Sequence, residues 1–374
     1  MLKKYSKNKM LNLVIITLIF TLLIASIANA ENNISKSPKE SSFKIAFLDV
    51  GQADAAIIEC DGHYMLIDGG NKEDSSLMYA FLKQYSIDYL DIVVATHAHE
   101  DHVGGIAGAL NYANAGLILS PVQNYDSEAF TDFAKYANRN GKGIEVPSIG
   151  DTYRLGSADV TILGLNAGSE VNDSSIVLKI TYGYTSFLFT GDAGREAEQA
   201  LLDSGVDLSA TVLKVGHHGS DTGTTYPFLR EIMPQYAVIS VGKNNSYNHP
   251  TDNVLSRLRD ADADILRTDL HGKIFITSDG KTVSVSTDKK ASREEILTEG
   301  SKTATQKSIN ENKNQDADNQ HSGGNYIANK NTKKFHYPSC GSVSKMKESN
   351  KLYYNGTRDE LISKGYDPCG NCHP

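Results

Sequence analysis

The sequence predicts an α/β protein in which two β-sheets pack face to face with helices outside them, followed by a small C-terminal module. Three observations predict it. Short apolar, β-branched runs outnumber stretches with helical spacing, and the helical stretches fall between groups of strands in each half of the region 43–287. The run 288–323 is rich in Lys, Glu, Asn, Gln, Ser and Thr and has no Phe, Trp or Tyr, so it is expected to be a flexible linker. Aromatic residues then return at Tyr326, Phe335, Tyr337, Tyr353, Tyr354 and Tyr366, enough for a small core in the segment 324–374.

The elements follow in order. Residues 1–30 have the layout of a signal peptide: Lys3, Lys4, Lys7 and Lys9 precede an apolar run from Leu11 to Ile27, and Ala28-Asn29-Ala30 offers small residues for cleavage. The alternative is an uncleaved membrane anchor, because the apolar run is long. Either way the body is expected outside the cytoplasm, secreted or at a bacterial cell surface. No integral membrane domain is expected after cleavage. Residues 31–42 are polar and expected to be disordered. Strands are predicted over 43–49, 55–60 and 63–67, with Asp61-Gly62 as a hairpin turn. A helix capped by Asp74 runs to Tyr85, with Leu77, Phe81 and Leu82 at helical spacing. A buried strand follows over 90–95, then helices over 103–112 and 127–140. The second half predicts strands over 160–165, 175–181, 186–190, 212–215, 236–241 and 265–267, and helices over 194–203 and 251–261. A hairpin around Asp279-Gly280 closes the domain.

The chemistry is concentrated where the strand 90–95 ends. His97, His99, Asp101 and His102 form an H-x-H-x-D-H pattern followed by Gly104-Gly105. On an extended turn His97 and His99 point the same way, because side chains alternate. They can grip one metal, while Asp101 and His102 can reach a second. So much ligation in one loop suits a two-metal hydrolytic site better than a structural zinc site. The end of an α/β strand is also where such folds keep their chemistry.

This motif resembles the metallo-β-lactamase superfamily. Asp49-Val50-Gly51-Gln52-Ala53-Asp54, Ile67-Asp68-Gly69-Gly70, Phe189-Thr190-Gly191-Asp192 and Leu213 to Ser220 narrow the resemblance to the ComEC-like branch, the hydrolase domain of DNA-uptake competence proteins and its free-standing relatives. The resemblance covers residues 43–287 and departs at Ala53, where the family usually has Gly. It implies an αββα sandwich with two divalent metal ions, Zn or Mn. Asp192 would be the bridging carboxylate and His218 the last metal ligand, with His217 beside the substrate; spacing alone leaves the choice between the two histidines open. Asp68 is expected to orient the His97 loop, and Asp49 and Asp54 to act structurally or behind the ligands. Where many superfamily members carry another histidine, this chain has Asn172-Asp173-Ser174-Ser175, so Asn172 or water would serve the first metal and Mn²⁺ stays credible. His249 fits a proton donor or a phosphate contact.

The tail carries a second constellation. His336 and Cys340 precede Cys369 and Cys372, two ligand pairs in a structural-zinc pattern. The spacing resembles the Ada-type metal-binding domain, with His336 where that family has its first cysteine, so that family's methyl-acceptor chemistry does not carry over. A Cys369–Cys372 disulfide is the alternative, and His373 a substitute ligand. Cys60, alone in a strand, reads as a buried thiol.

The formal net charge of −8 becomes more negative once the signal lysines leave, and so does not favour nonspecific nucleic-acid binding. Bound divalent metals would add local positive charge, and the tail, with Lys330, Lys333, Lys334 and Arg358 among its cations, is basic. The resemblance implies a metallohydrolase, with a phosphodiester such as DNA as favoured substrate and DNA or another anionic polymer as partner. Asp101 and Asp192 would position the attacking water, and His217 or His249 would stabilise or protonate the leaving group. The alternatives are a hydrolase of a phosphocholine ester, lactone or β-lactam, and a non-catalytic DNA- or surface-binding protein.

Overall fold

The structure, a computed structural model, describes residues 42–300 and 324–372 except Lys142, Ser339, Gly370 and Asn371. The expected signal peptide, most of the polar segment after it, the later part of the linker and His373 lie outside the described residues.

Strands β1 (Phe43–Phe47), β2 (Ala55–Cys60) and β3 (His63–Gly69) form an antiparallel meander. Helix α1 (Ser75–Gln84) leads to β4 (Tyr89–Val94), α2 (Glu100–Val103), α3 (Ile106–Tyr112), β5 (Asn114–Leu119) and α4 (Glu128–Arg139). The second half runs β6 (Thr152–Leu155), β7 (Ala158–Gly164), β8 (Val177–Tyr182), β9 (Thr185–Phe189), α5 (Arg195–Ser204), β10 (Val212–Lys214), α6 (Tyr226–Ile232), β11 (Tyr236–Ile239), α7 (Asp252–Asp260) and β12 (Asp264–Arg267). A short helix, α8 (Thr268–His271), then precedes the hairpin β13 (Ile274–Ser278) and β14 (Val283–Thr287). Among the described residues the strands make two seven-stranded sheets, ordered β14-β13-β1-β2-β3-β4-β5 and β12-β11-β10-β9-β8-β7-β6.

The sheets face each other across a core in which Phe43 stacks on Phe187 at 4.6 Å and Phe47 on Phe189 at 5.7 Å. Helices cover both outer faces, as the alternation of apolar and polar residues demands. Helix α4 shows the pattern: Ala129, Phe130, Phe133 and Ala137 are buried, and the Ser127 side chain caps its start by accepting from Phe130 N. On the far side, Leu201 of α5, Phe228 of α6 and Leu255 of α7 pack in one cluster.

What positions the site is strand polarity. Strands β3, β4 and β5 run parallel, and so do β9, β10, β11 and β12. The chemistry-bearing segments leave the C-terminal ends of β3, β4, β9 and β10, as sequence reading expected. The histidine loop lies close on the end of β3. A Cβ at position 105 would fall 1.9 Å from the Gly69 carbonyl oxygen, so Gly105 is needed for backbone to touch backbone.

The tail forms its own sheet: β15 (Gly324–Asn329), β16 (Lys334–His336), β17 (Lys351–Gly356) and β18 (Asp367–Pro368), ordered β17-β15-β16-β18. Between its strands lie α10 (Gly341–Ser344) and α11 (Arg358–Ser363), after α9 (Arg293–Ile296) upstream. Two expectations need correction. The start of the expected linker is ordered: α9 carries a capping box from Ser292 and Glu295, and Arg267 donates to the Ile296 carbonyl at 3.0 Å. Tyr337 and Tyr353 are exposed, and their places in the tail core are taken by Leu361, Ile362 and Tyr226, the last from α6 of the preceding domain. Cys60 is buried and unpaired with another cysteine, as expected.

Candidate active site and metal centres

The sequence-predicted residues of the first domain converge at one point. Asp101, His102, Asp192 and His218 each offer a ligand atom within 4.8 Å of the others. His102 Nε2 lies 3.3 Å from Asp192 Oδ1, and His218 Nε2 lies 3.2 Å from Asp101 Oδ2. On the other side of Asp192, His97 Nε2 is 3.9 Å from Oδ2 and 3.1 Å from His99 Nδ1. Asp192 therefore has His102 and His218 of this cluster on one side and His97, next to His99, on the other.

His102 Nε2 and Asp192 Oδ1 are buried with no hydrogen-bond partner, a costly state for polar atoms aimed at each other's ligand cluster. The electrostatics agree. Burial opposes charge on His102, yet Asp192, Asp68 and Asp101 outweigh it and hold its pKa well above the ordinary value. Burial likewise opposes charge on His218, and Asp192 and Asp54 raise it to about 10. The carboxylates pull positive charge into the cluster, and divalent cations satisfy that pull with neutral imidazoles as ligands. The donor set fits the implied metals.

Behind the ligands stands a layer of buried acceptors. Asp68 accepts from Thr96 N at 2.7 Å and Thr96 Oγ1 at 2.8 Å, and lies 2.8 Å from His102 Nδ1. It thus holds the His97 loop at both ends, at Thr96 and at His102, and turns the His102 ring by its Nδ1. Asp54 lies 3.3 Å from His218 Nδ1 and pairs with Lys214 at 2.8 Å. The Ser240 carbonyl also faces His218 Nδ1 at 3.0 Å. Each arrangement turns an Nε2 toward the cluster.

The structure distinguishes the neighbouring histidines. His218 is buried among the ligands, whereas His217 is partly exposed, with Nδ1 2.9 Å from Thr222 Oγ1 and Nε2 3.8 Å from Asp192. Both have left-handed backbone, at φ 48° and 52°. Such strain in successive non-glycine residues is characteristic of functional sites. Asn172 faces His217 through Nδ2 at 3.4 Å, and its Oδ1 is buried without a partner. The His249 ring is 5.7 Å from that of His217 and stacks on Tyr247. Burial, with His217 and His218 nearby, pushes His249 down to about 4, so it is neutral near pH 7 and suited to hydrogen bonding more than to acid catalysis. Asp49 takes no part in the cluster of ligands.

Sequence reading assigned no role to Lys214 or Gln52. Lys214 is buried at the end of β10, and a lysine in an apolar parallel strand already demands a buried carboxylate. Gln52 holds Gly242 N at 3.0 Å and faces His249 Nδ1 at 3.4 Å, joining the first loop to the last. A cleft of about 540 Å³ opens over the cluster, lined by Gln52, His99, Asp192, His217, Tyr247 and His249 among others.

The tail ligands also converge. His336, Cys340, Cys369 and Cys372 each place one donor atom within 4.8 Å of the others, and the cysteines are not disulfide-bonded. His336 Nδ1 is buried without a partner. The adjacent Cys369 thiol, together with burial, pushes Cys372 up. Three thiols and an imidazole in contact cannot ionise together without a cation, and this donor set fits zinc.

Over residues 48–243 the sequence matches the family model described as "Metallo-beta-lactamase superfamily". It is 30% identical over 254 residues to ComE operon protein 3 of Bacillus subtilis, covering 63% of this chain and 33% of that protein. It is 27% identical over 237 residues to Competence protein ComA of Neisseria gonorrhoeae, covering 63% and 32%. Recombination protein 2 of Haemophilus influenzae is 27% identical over 286 residues, covering 73% and 33%. The chain thus matches about a third of the length of these relatives.

Proposed function

The chain belongs to the metallo-beta-lactamase superfamily, and from that premise we propose that it is a two-metal phosphodiesterase acting on DNA outside the cytoplasm. The observation that carries the reading is the cluster of Asp101, His102, Asp192 and His218, with His97 on the other side of Asp192 and with His102 Nε2 and Asp192 Oδ1 lacking a hydrogen-bond partner. One metal would be held by Asp101, His102, His218 and Asp192, the other by His97, His99 and Asp192. Divalent ions there would supply Lewis acidity and activate a water.

The chain's own groups do the rest. Asp68 and Asp54 keep the ligand imidazoles turned into the cluster. Thr222 fixes the His217 ring, which with Asn172 offers N–H groups beside Asp192 to an anionic oxygen of the substrate. His249, neutral near pH 7, offers another hydrogen bond at the rim. A site with Asn172 in place of an imidazole favours hard oxygen ligation and so a phosphodiester over a β-lactam. Export rests on the pattern of residues 1–30, and the DNA substrate on the likeness to Competence protein ComA and on the ComEC-like motifs. Among the described residues no helix is long and apolar enough to cross a membrane.

A smaller diester is the second reading. The net charge of −8 does not draw in a polyanion, and a cleft of about 540 Å³ suits a small ligand. The test is turnover by the purified protein, with Mn²⁺ or Zn²⁺, of DNA, a bis-aryl phosphodiester and a β-lactam. Hydrolysis of both diesters and not of the β-lactam is expected. Diester hydrolysis without DNA cleavage selects the second reading, and β-lactam hydrolysis with no diesterase activity under either metal sinks both.

A further inference from the structure

A flexible linker over 288–323, as the sequence predicts, would leave the tail uncoupled from the hydrolase. The structure contradicts this. The described residues of the sandwich and the tail belong to one compact unit, and the tail touches the hydrolase at the segment following His217-His218.

The contacts are of three kinds. Tyr226, which opens α6, is buried in the tail's own aromatic cluster with Tyr326, Phe335 and Tyr366. Arg358 of the tail lies over the Tyr226 ring at 5.5 Å and pairs with Asp260 at 2.7 Å. Asp367, which is buried, pairs with Arg195 and lies 3.6 Å from Arg257. Arg257 is the most telling of these. It is 1% exposed, and it donates to the carbonyls of Gly223 and Thr224 at 2.6 and 2.7 Å. A guanidinium buried that deeply needs a counter-charge, and the tail supplies one. Finally, Lys334 pairs with Asp221 at 2.6 Å, and Asn253 donates to the same carboxylate at 3.1 Å.

These contacts bear on the site. Next to Asp221, Thr222 holds the His217 ring. A cleft of about 480 Å³ with Asn172, Asp192 and His217 on one side has Thr332 and Lys334 of the tail on the other. Lys334 and Asp367 are each two residues from a thiol or imidazole of the four-ligand cluster, His336 and Cys369. They are also paired directly with each other across β16 and β18.

We propose that the tail is a wall of the catalytic cleft. Lys334 and Asp367 are positioning residues for the segment 221–225 beside His217, and a metal on His336, Cys340, Cys369 and Cys372 keeps β16 and β18 in the register that presents them. The proposal rests on this cleft being the active site, but its main test uses no substrate. Treatment of the full chain with a carbodiimide, which joins a paired amine and carboxylate without a spacer, should give a Lys334–Asp221 cross-link as the dominant bond between tail and hydrolase in peptide mass spectra. Cys369→Ser should abolish that cross-link while leaving the divalent-metal content of the Asp192 cluster unchanged. Lys334→Gln should raise KM about fivefold for a phosphodiester with kcat within about twofold, and Lys334→Arg should restore it. Absence of the cross-link in the unmodified chain overturns the docking. Its persistence in Cys369→Ser overturns the role of the metal. A Lys334→Gln variant that keeps both the fold and the original KM overturns the positioning role, whichever substrate is used.

Discussion

Replacing Asp68 by asparagine tests how the site prepares its ligands. In the native chain Asp68 takes a hydrogen bond from Thr96 N at 2.7 Å and another from Thr96 Oγ1 at 2.8 Å, and its Oδ2 lies 2.8 Å from His102 Nδ1. A carboxylate accepts only, so once a cation takes the place of the second proton on His102 the remaining one stays on Nδ1 and the Nε2 lone pair faces the cluster. In Asp68→Asn the new carboxamide keeps the bond from Thr96 N through its oxygen but turns an NH₂ group toward His102. The imidazole answers by moving its proton to Nε2, the ligating atom. Folding stability should change little, by about 1 kcal/mol, because the number of hydrogen bonds is nearly kept. Metal affinity should fall about 100-fold, the upper end for loss of a group behind a ligand, equivalent to about 2.8 kcal/mol. Asp68→Ala differs: it leaves Thr96 N buried without a partner and His102 Nδ1 with Thr96 Oγ1 alone at 3.3 Å, and should cost about 3 kcal/mol of stability as well. Competition with a chromogenic chelator gives the affinities, and denaturant unfolding of the metal-free chain gives the stabilities. If Asp68→Asn binds metal as tightly as the native chain, or if it and Asp68→Ala unfold alike, the tautomer reasoning is wrong.

Three further outcomes are expected. His99→Ala combined with Asp192→Asn should abolish metal-dependent turnover and lower metal content in the first domain while leaving the far-ultraviolet circular dichroism intact, which metal analysis and spectra check together. Gly105→Ala should destabilise by about 3 kcal/mol or more in thermal unfolding, because its Cβ would meet the Gly69 carbonyl oxygen at 1.9 Å and both are backbone. Glu198 is held up to about 7, chiefly by burial. Because its folded value lies above its unfolded one, charging it costs stability as pH rises from about 4.5 through 7, up to about 3 kcal/mol by pH 8. The melting temperature of Glu198→Gln minus that of the native chain should therefore increase between pH 5 and pH 8, and a constant difference would refute the assignment.

Much of the fold and the site was readable because the signals are local. His97 to His102 fall in one loop after an apolar strand, and Asp192 and His218 each follow another, so the strand ends announce the candidate ligands. Elements were missed where the local signal is weak. Strand β6 has four residues at a sheet edge, with Leu155 its one fully buried position, and β5 begins with Asn-Ala-Gly and reads as a turn. Helix α6 starts behind Thr225 with Pro227 in its first turn, a start signal hidden in the glycine- and threonine-rich stretch before it. The choice between His217 and His218 needed the backbone, since two adjacent left-handed residues turn their side chains in ways that spacing does not reveal. Docking of the tail was not readable at all. Arg195 and Asp367 are 172 positions apart, and each taken alone is an ordinary surface charge. Their pairing exists only in the assembled sheets.

The burial of Tyr226 has a consequence for the history of each molecule. The tail cannot complete its aromatic cluster from its own residues, because one ring belongs to a helix made a hundred positions earlier than Tyr326. Assembly therefore has a direction: the sandwich must set α6 before the tail strands β15 to β18 have anything to close upon. Without residues 324–372 the ring of Tyr226 and the guanidinium of Arg257 would lose the partners that cover them. The ring that closes the tail's core and the carboxylate that faces Arg257 thus come into place together, on a surface the sandwich has prepared.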